Sequence, residues 1–313
     1  MRIILSKKIK IQRLLLIALS CFSFLIAKAQ TETDALMMKK NELCIGGIYA
    51  YSNWSNYWEG SLKRNNQNIG NVSSNQFHLM GTYGLNNKIN LLFNVPYVTT
   101  KSNAGTLSGF EGLQDISFAI KWKTYSKKVG AGNLGLFLGA GLSTPLTNYV
   151  TDFQPLAIGM GSTNLTGRVN IDYLVKRFYV TLASAYMRRS NIQLDRNSYY
   201  TNRLINSNQV AMPDMLMFNL GTGYRHGNTI AEVAFSNMTS LGGFDIRKND
   251  MPFPSNRMNA TTVGGNIKYN LAKIPALTLV GGGNYVVAGR NVGQNYNLNA
   301  GLFYIINFNP SKK

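Results

Sequence analysis

The chain has few cysteines, histidines and acidic residues, and each scarcity excludes a class of protein. Its 313 residues include 2 Cys and 2 His, and 13 Asp or Glu stand against 32 Lys or Arg. Cys44 is the only cysteine beyond residue 29, which excludes an internal disulfide from that part of the chain. The sequence shows no metal-ligand spacing, phosphate loop or nucleotide motif. We therefore predict no metal and no cofactor.

Long apolar runs are missing after the first 29 residues. In that leader, five basic residues from Arg2 to Arg13 precede an apolar core over 14–26, and Ala27-Lys28-Ala29 offers a cleavage site. A transmembrane anchor is the alternative, but the core falls short of the ~20 residues that a spanning helix needs. We predict a signal peptide over 1–29, cleaved before Gln30, and export of the mature chain.

The acid deficit gives a formal net charge of +19. Such an excess is typical of nucleic-acid binding, of anion-attracting pores and of surfaces that contact acidic lipid headgroups. Because the chain is exported and carries no nucleic-acid motif, we expect no nucleic-acid partner. We expect the basic loop residues to contact outer-membrane lipid and the phosphates of lipopolysaccharide.

What the sequence does contain is a rhythm of two-faced segments, clearest at its end. Over 297–308 every second residue is apolar, and the intervening residues are mixed. Side chains alternate between the two faces of a strand, so one face of this segment is apolar throughout. Tyr304 and Phe308 lie on that face, as expected for the closing strand of an outer-membrane barrel. We expect this strand to be recognised by the barrel-assembly machinery.

Twelve such segments are predicted, each about as long as a tilted membrane-crossing strand. They cover 43–52, 76–85, 89–99, 113–123, 133–144, 163–174, 177–187, 215–225, 229–239, 261–271, 277–287 and 297–308. The connections alternate between short and long, which is typical of outer-membrane barrels. Fourteen strands stay open if the connection 188–214 hides a further hairpin.

The fold class predicted is therefore all-β: a closed, up-and-down antiparallel transmembrane β-barrel of the outer-membrane type. The barrel should occupy 42–308, after a flexible periplasmic segment over 30–41 and before a tail over 309–313. An even strand count puts both termini on the periplasmic side. A soluble β-sandwich also alternates, but its strands run to about five or six residues, which is shorter than the segments found here.

Six short runs resemble a known outer-membrane family, the one assigned to the meta-pathway of phenol degradation. They are Tyr83–Ile89, Asn94–Val98, Gly112–Ile116, Gly141–Pro145 and Gly159–Ser162, and a sixth run, Lys121–Lys123, follows the third. The chain departs from the family pattern at Gln114, where a glycine is usual, and in the order of Ser143-Thr144-Pro145. The resemblance implies an outer-membrane barrel, distantly similar to long-chain fatty-acid transporters, that moves small hydrophobic or aromatic compounds.

The residues of these runs have a structural explanation. Pro96 cannot donate to a ladder and should mark a bulge or the end of its strand. Gly112, Gly159 and Gly161 should permit tight bends near loops, and Pro145 ends a strand. Contact with a ligand is the less favoured alternative.

Seven charged or ionisable side chains are predicted to face the barrel interior. The bases Lys121, Arg168 and Lys268 would favour anions, since rings of Lys and Arg select for them. An equally weighted alternative is an ion-pair network that plugs the interior, for example Arg168 with Asp115 or Glu232. The other inward candidates are Asp172 and His78.

We predict passive movement of a small molecule, hydrophobic, aromatic or anionic, across the outer membrane. One alternative is a plugged barrel that acts as a structural or interaction scaffold through its extracellular loops. A remote alternative is a phospholipase-like membrane enzyme, which needs a Ser/His pair in hydrogen-bond reach. Neither His78 nor His226 is well placed for that, so we expect no enzymatic activity.

Overall fold

The chain forms a closed barrel of twelve antiparallel strands. The structure is a computed structural model, and it describes residues 30–248 and 250–309; the predicted signal peptide lies outside this range. No helix in the described part is long and apolar enough to cross a membrane. The barrel strands are β1 Glu42–Trp54, β2 Val72–Gly84, β3 Ile89–Ser102, β4 Asp115–Val129, β5 Gly132–Pro145, β6 Asn164–Val175, β7 Phe178–Arg189, β8 Met215–His226, β9 Thr229–Ser240, β10 Asn259–Asn270, β11 Leu277–Arg290 and β12 Tyr296–Asn307.

Pairing of the first and last strands closes the barrel. β1 runs antiparallel to β12 from Glu42 opposite Asn307 to Asn53 opposite Tyr296. Every other barrel strand pairs with its neighbours in sequence. Closure leaves no open sheet edge, and a barrel can therefore satisfy its backbone groups inside lipid. The predicted fold class is confirmed.

The two faces of each strand separate as the alternation predicts. On β12, Leu298, Leu302 and Tyr304 are exposed on the outer surface, whereas Phe303 is buried inside. Phe308 lies just beyond the strand and is also exposed. On β6, Leu165 and Ile171 face outward. The outer surface is therefore an apolar belt suited to hydrocarbon.

The connections divide the barrel into a turn end and a loop end. Two-residue turns follow β4, β6 and β8, and Gly227 in the last of them has a positive φ of 56°. The predicted connection over 124–132 is wrong. β4 continues to Val129 through a bulge between Lys123 and Tyr125. The alternation of the sequence breaks at this bulge, whereas the pairing with β5 continues past it.

The loop-end connections fold over the barrel rim and pack on each other. The connection 190–214 carries two short ladders, Ile192–Gln193 with Gln209–Val210 and Tyr199–Tyr200 with Leu204–Ile205. These lie outside the barrel sheet, so the count of twelve holds and the fourteen-strand alternative is excluded. Apolar side chains hold this cap together, and they include Ile192, Leu194, Val210, Met212 and Phe253.

The segment before β1 is folded into the barrel interior. We predicted a flexible periplasmic segment over 30–41, but Gln30, Leu36 and Met38 are all less than a tenth exposed. Met38 packs on Cys44 and Phe303 at the turn end, and Leu36 packs on Tyr179 and Ile230 across the interior. The acids of this segment meet inward bases of the wall, which is the physical reason for its placement.

Candidate functional site: the barrel lumen

One carboxylate in the lumen is held between two lysines. Lys121 on β4 and Lys268 on β10 each place Nζ 2.9 Å from an oxygen of Asp34. Lys121 also donates to the backbone carbonyls of Thr31 at 2.6 Å and of Leu36 at 3.2 Å. Side chains from β4 and β10 therefore hold one short stretch of the chain inside the barrel. We name this stretch, residues 30–36, the lumen segment.

The charge state of Asp34 follows from this position. Burial alone would raise the pKa of its carboxyl, but Lys121 and Lys268 more than offset this effect. The pKa of Asp34 is therefore held well below its usual value, and the carboxylate stays ionised. Removing it would leave buried ammonium groups without this partner.

A second ion pair holds the lumen segment near Gln30. Arg168 on β6 donates from Nη2 to Glu32 at 3.0 Å, and Asn170 on the same strand donates to the Glu32 carbonyl at 2.8 Å. The side-chain amides of Gln30 and Asn90 meet at 2.7 Å. The expected pairing of Arg168 with Asp115 or Glu232 is thus wrong, because Glu32 supplies the partner.

A further network of polar side chains extends over β6–β9. Arg225 on β8 reaches Asp172 at 3.4 Å and lies with its guanidinium 4.1 Å from the ring centroid of Tyr179. The Tyr179 hydroxyl donates to Glu232 at 2.8 Å. Asp172 also accepts from Thr181 at 2.6 Å. Each acid in this network therefore accepts from donors that lie one or two strands away.

The charges that take part in these contacts balance one another. Four bases, Lys121, Arg168, Arg225 and Lys268, form ion pairs with three acids, Glu32, Asp34 and Asp172, and a fourth acid, Glu232, accepts from Tyr179. Two of those acids belong to the lumen segment. The strands alone therefore give the lumen the net positive charge that the sequence suggested, and the two acids of the lumen segment cancel that charge.

The His78 ring contacts two side-chain amides. It faces inward on β2, with Nδ1 3.1 Å from Oδ1 of Asn94 and Nε2 3.1 Å from Oε1 of Gln76. No hydroxyl nucleophile shares these contacts among the described residues. In the same part of the chain no group of three His, Cys, Asp or Glu could hold a metal ion.

An open cavity remains beside the lumen segment. It has a volume of about 530 Å³ and lies against the inner faces of β1–β3 and β7–β12. His78, Arg225, Glu232 and Lys268 line it, together with several asparagines. On the β4–β6 side, by contrast, the segment packs closely against Lys121 and Arg168. The lumen is thus narrowed from one side.

The motif residues gather at the loop end, around a tyrosine that the sequence did not single out. The Tyr149 hydroxyl donates to Asp115, the first residue of β4, and accepts from the Gly161 amide at 3.1 Å. Gly161 has φ of 69°, and a Cβ there would lie 2.4 Å from Thr151. A Cβ at Gly159 would strike the Tyr149 ring. These contacts hold a loop in place.

The remaining motif residues also occupy structural positions. Pro145 ends β5 directly opposite Asp115. Pro96 lies inside β3, at the point where its neighbour changes from β4 to the short strand Glu111–Leu113, which contains Gly112. The register shifts by one residue across this interruption, from Asn94 opposite Ser117 to Tyr97 opposite Leu113. Pro96 therefore lies at a bulge-like irregularity and not at the end of its strand, which fits a residue without an N–H.

Sequence reasoning missed Glu32, Asp34, Arg225 and Tyr149. A signal existed for the first two, since they stand between the predicted cleavage site and the first strand, in a chain with few acids. No signal identified Asp172 as the partner of Arg225, because the pairing joins β6 to β8 across β7.

Comparisons with solved structures support the fold. A crystallised outer membrane channel from Pseudomonas putida F1 superposes with a TM-score of 0.70 at 15% identity, over 88% of this chain and 99% of that one. The NanC porin, at 10% identity, covers 84% of this chain and 98% of its own with a TM-score of 0.44. The translocator domain of the autotransporter NalP from Neisseria meningitidis, at 9% identity, covers 87% and 90% with a TM-score of 0.44. The first likeness establishes a shared barrel fold, and the others are too distant to add to it.

Neither a family model nor a curated protein sequence matches the chain. The resemblance to the phenol-degradation family therefore stays a prediction.

Proposed function

We propose that this chain is an outer-membrane barrel through which a small solute passes passively, in a lumen narrowed by residues 30–36. The single observation that carries the proposal is the cavity of about 530 Å³ between the lumen segment and the wall. Most of the residues that line it carry polar side chains, as in barrels with a wet interior. The apolar outer belt supports a location in lipid.

The proposal includes an orientation. The short turns and both termini would face the periplasm, and the loop cap would face outward, as barrels of this class arrange them. Arg196, Arg247 and other basic loop residues would then meet lipopolysaccharide phosphates. The C-terminal strand β12, which closes on β1, would be the part that the barrel-assembly machinery recognises.

The paired charges of the lumen affect which of the solutes suggested by the sequence it would admit. Its inward bases already have acid partners, so an anion gains little attraction while the lumen segment is in place. Anionic cargo therefore requires that the segment leave, which exposes Lys121, Arg168 and Lys268. Hydrophobic or aromatic cargo would meet a mostly polar wall.

Conductance in planar bilayers tests the proposal. We expect the refolded mature chain to give small, steady channels with little preference between potassium and chloride. A variant lacking 30–36 should conduct several-fold more and prefer chloride, because two of the four lumen acids are removed. Deletion of the loop residues 199–205 is the matched control and should leave ion preference unchanged.

The outcomes separate the candidates. Folded barrels that stay silent in both forms contradict a channel. A silent wild type beside a conducting deletion variant favours the second candidate, a plugged scaffold, for which the grip of Lys121 and Lys268 on the lumen segment is the supporting observation.

A further inference from the structure

One part of the cavity wall, on β10–β12, is built from amides and very small residues. On β10–β12 the inward positions include Asn266, Asn284, Asn297 and Asn299, all of which line the cavity. The barrel register arranges them in two rows. In one row Gly282 lies between Asn266 and Asn299.

The second row repeats the pattern one step nearer the loop end. Asn284 lies opposite Gly264 on one side and opposite Asn297 on the other. Asn297 in turn faces Ser52 on β1. Neither row contains an aromatic or a base, and we name this surface the amide wall, Asn266, Asn284, Asn297 and Asn299 with the glycines between them.

The glycines keep the amides accessible. A Cβ at Gly282 would lie 2.8 Å from Cβ of Asn266 and 2.7 Å from the Gly265 carbonyl, so a larger residue there would crowd the row. Asn266 donates to Glu232 at 3.1 Å. Within the described residues, the side chains of Asn284, Asn297 and Asn299 make no such contact to protein, which leaves their donors and acceptors for water or a solute.

We propose that the lumen favours uncharged, polyhydroxylated solutes such as sugars, and that the amide wall is their binding surface. This inference rests on the proposed channel function. A side-chain amide offers both an acceptor and two donors, and a hydroxyl group offers both roles as well. Such a solute can therefore replace the water of the amide wall bond for bond.

The other solute classes fit this lumen less well. An ion meets paired charges that cancel one another and loses hydration without net attraction. An apolar solute strips water from the amides and leaves their donors and acceptors unsatisfied, at a cost of roughly 1 to 3 kcal/mol for each group. The volume of about 530 Å³ leaves room for a small sugar with some water.

Liposome swelling with size-matched solutes tests the inference. The probes are glucose, its anionic analogue gluconate and its cationic analogue glucosamine, with the full mature chain reconstituted. We expect glucose to enter several-fold faster than either charged analogue. Asn297→Leu and Asn299→Leu should each slow glucose several-fold more than they lower potassium chloride conductance, because leucine keeps the branching of asparagine at Cγ but cannot hydrogen bond.

Two controls make the result readable. Asn65→Leu, in the exposed hairpin outside the barrel, should not alter any rate, and Asn297→Gln should retain most of the glucose entry. Heat-modifiable gel mobility confirms that each variant is folded. Equal or faster entry of gluconate, or unchanged glucose entry in both leucine variants, overturns the inference alone. No entry of any solute through folded protein overturns the channel itself and the inference with it.

Discussion

A single carboxylate, Asp34, connects the lumen segment to two walls of the barrel. The Lys121 side chain is 3% exposed and that of Asp34 11%, so the pair lies largely outside bulk water. Breaking one side of such a buried pair typically costs roughly 3 to 5 kcal/mol, because the remaining charge stays buried without its partner. Lys121 and Lys268 need not stay buried without a partner, since water reaches them once the lumen segment leaves.

We therefore expect Asp34→Asn to loosen the lumen segment. Single-channel recordings should show larger or fluctuating conductance and a shift toward chloride preference. Asp245→Asn is the matched control, because Asp245 pairs with Arg290 near the loop end and has no contact with the segment. If the two variants behave alike, Asp34 does not hold the segment.

The same residue sets the response to acid. The pKa of Asp34 is lowered in the folded protein. The carboxylate therefore contributes its full stabilising effect at any pH above the pKa of an unfolded aspartate, ~3.9. This effect is lost only as the pH falls through the lower pKa of the folded state. Conductance should therefore keep its size and ion preference as the pH is lowered from about 7 to about 5. Opening within that range would contradict the assignment of Asp34 as the clamp.

At the scale of elements, alternation made β12, β6 and the first part of β4 predictable. A period of two is set by backbone geometry, so it appears in the sequence wherever one face meets lipid. The bulge in β4 was not predictable, because one extra residue shifts the alternation while the ladder to β5 continues. The placement of the lumen segment depends on the contacts of Asp34 with Lys121 and Lys268, which lie 87 and 234 positions further along the chain.

The candidate site was predictable in part for the same reason. Lys121, Arg168, Lys268 and His78 follow from alternation, which fixes the face of a strand but not the partner across the lumen. Asn297 and Asn299 were also placed on the inner face, yet the amide wall depends on register with β10 and β11. Register is set by the turns and the whole sheet, so one segment cannot reveal it.

The loop-end elements supply a separate prediction. Burial and the neighbouring Asp115 raise the pKa of the Tyr149 hydroxyl, which therefore stays a donor. Tyr149→Phe should lower stability by about 0.5 to 1.5 kcal/mol, the worth of an ordinary hydrogen bond, without changing conductance. Thermal melting of the folded form in detergent measures the first effect, with the exposed Tyr125→Phe as control. A change in ion preference would instead indicate a direct part in permeation.

For the whole molecule, the closed barrel and the lumen segment together form the wall of the cavity described above. The outside is apolar and the inside is polar with paired charges, so the same alternation serves lipid and water at once. The central claim is that solutes pass through this cavity, and it can be tested at one position.

Thiol blocking of a lumen cysteine is the most direct measurement. Cys44 is 1% exposed and is replaced first, as Cys44→Ala, so that no native cysteine remains in a protein that begins at Gln30. In that background, addition of a bulky methanethiosulfonate reagent to the Asn284→Cys channel should abolish most of the conductance. The same reagent on Val263→Cys, which faces lipid, should have no effect. Unchanged conductance after confirmed labelling of Asn284→Cys would contradict passage through the cavity.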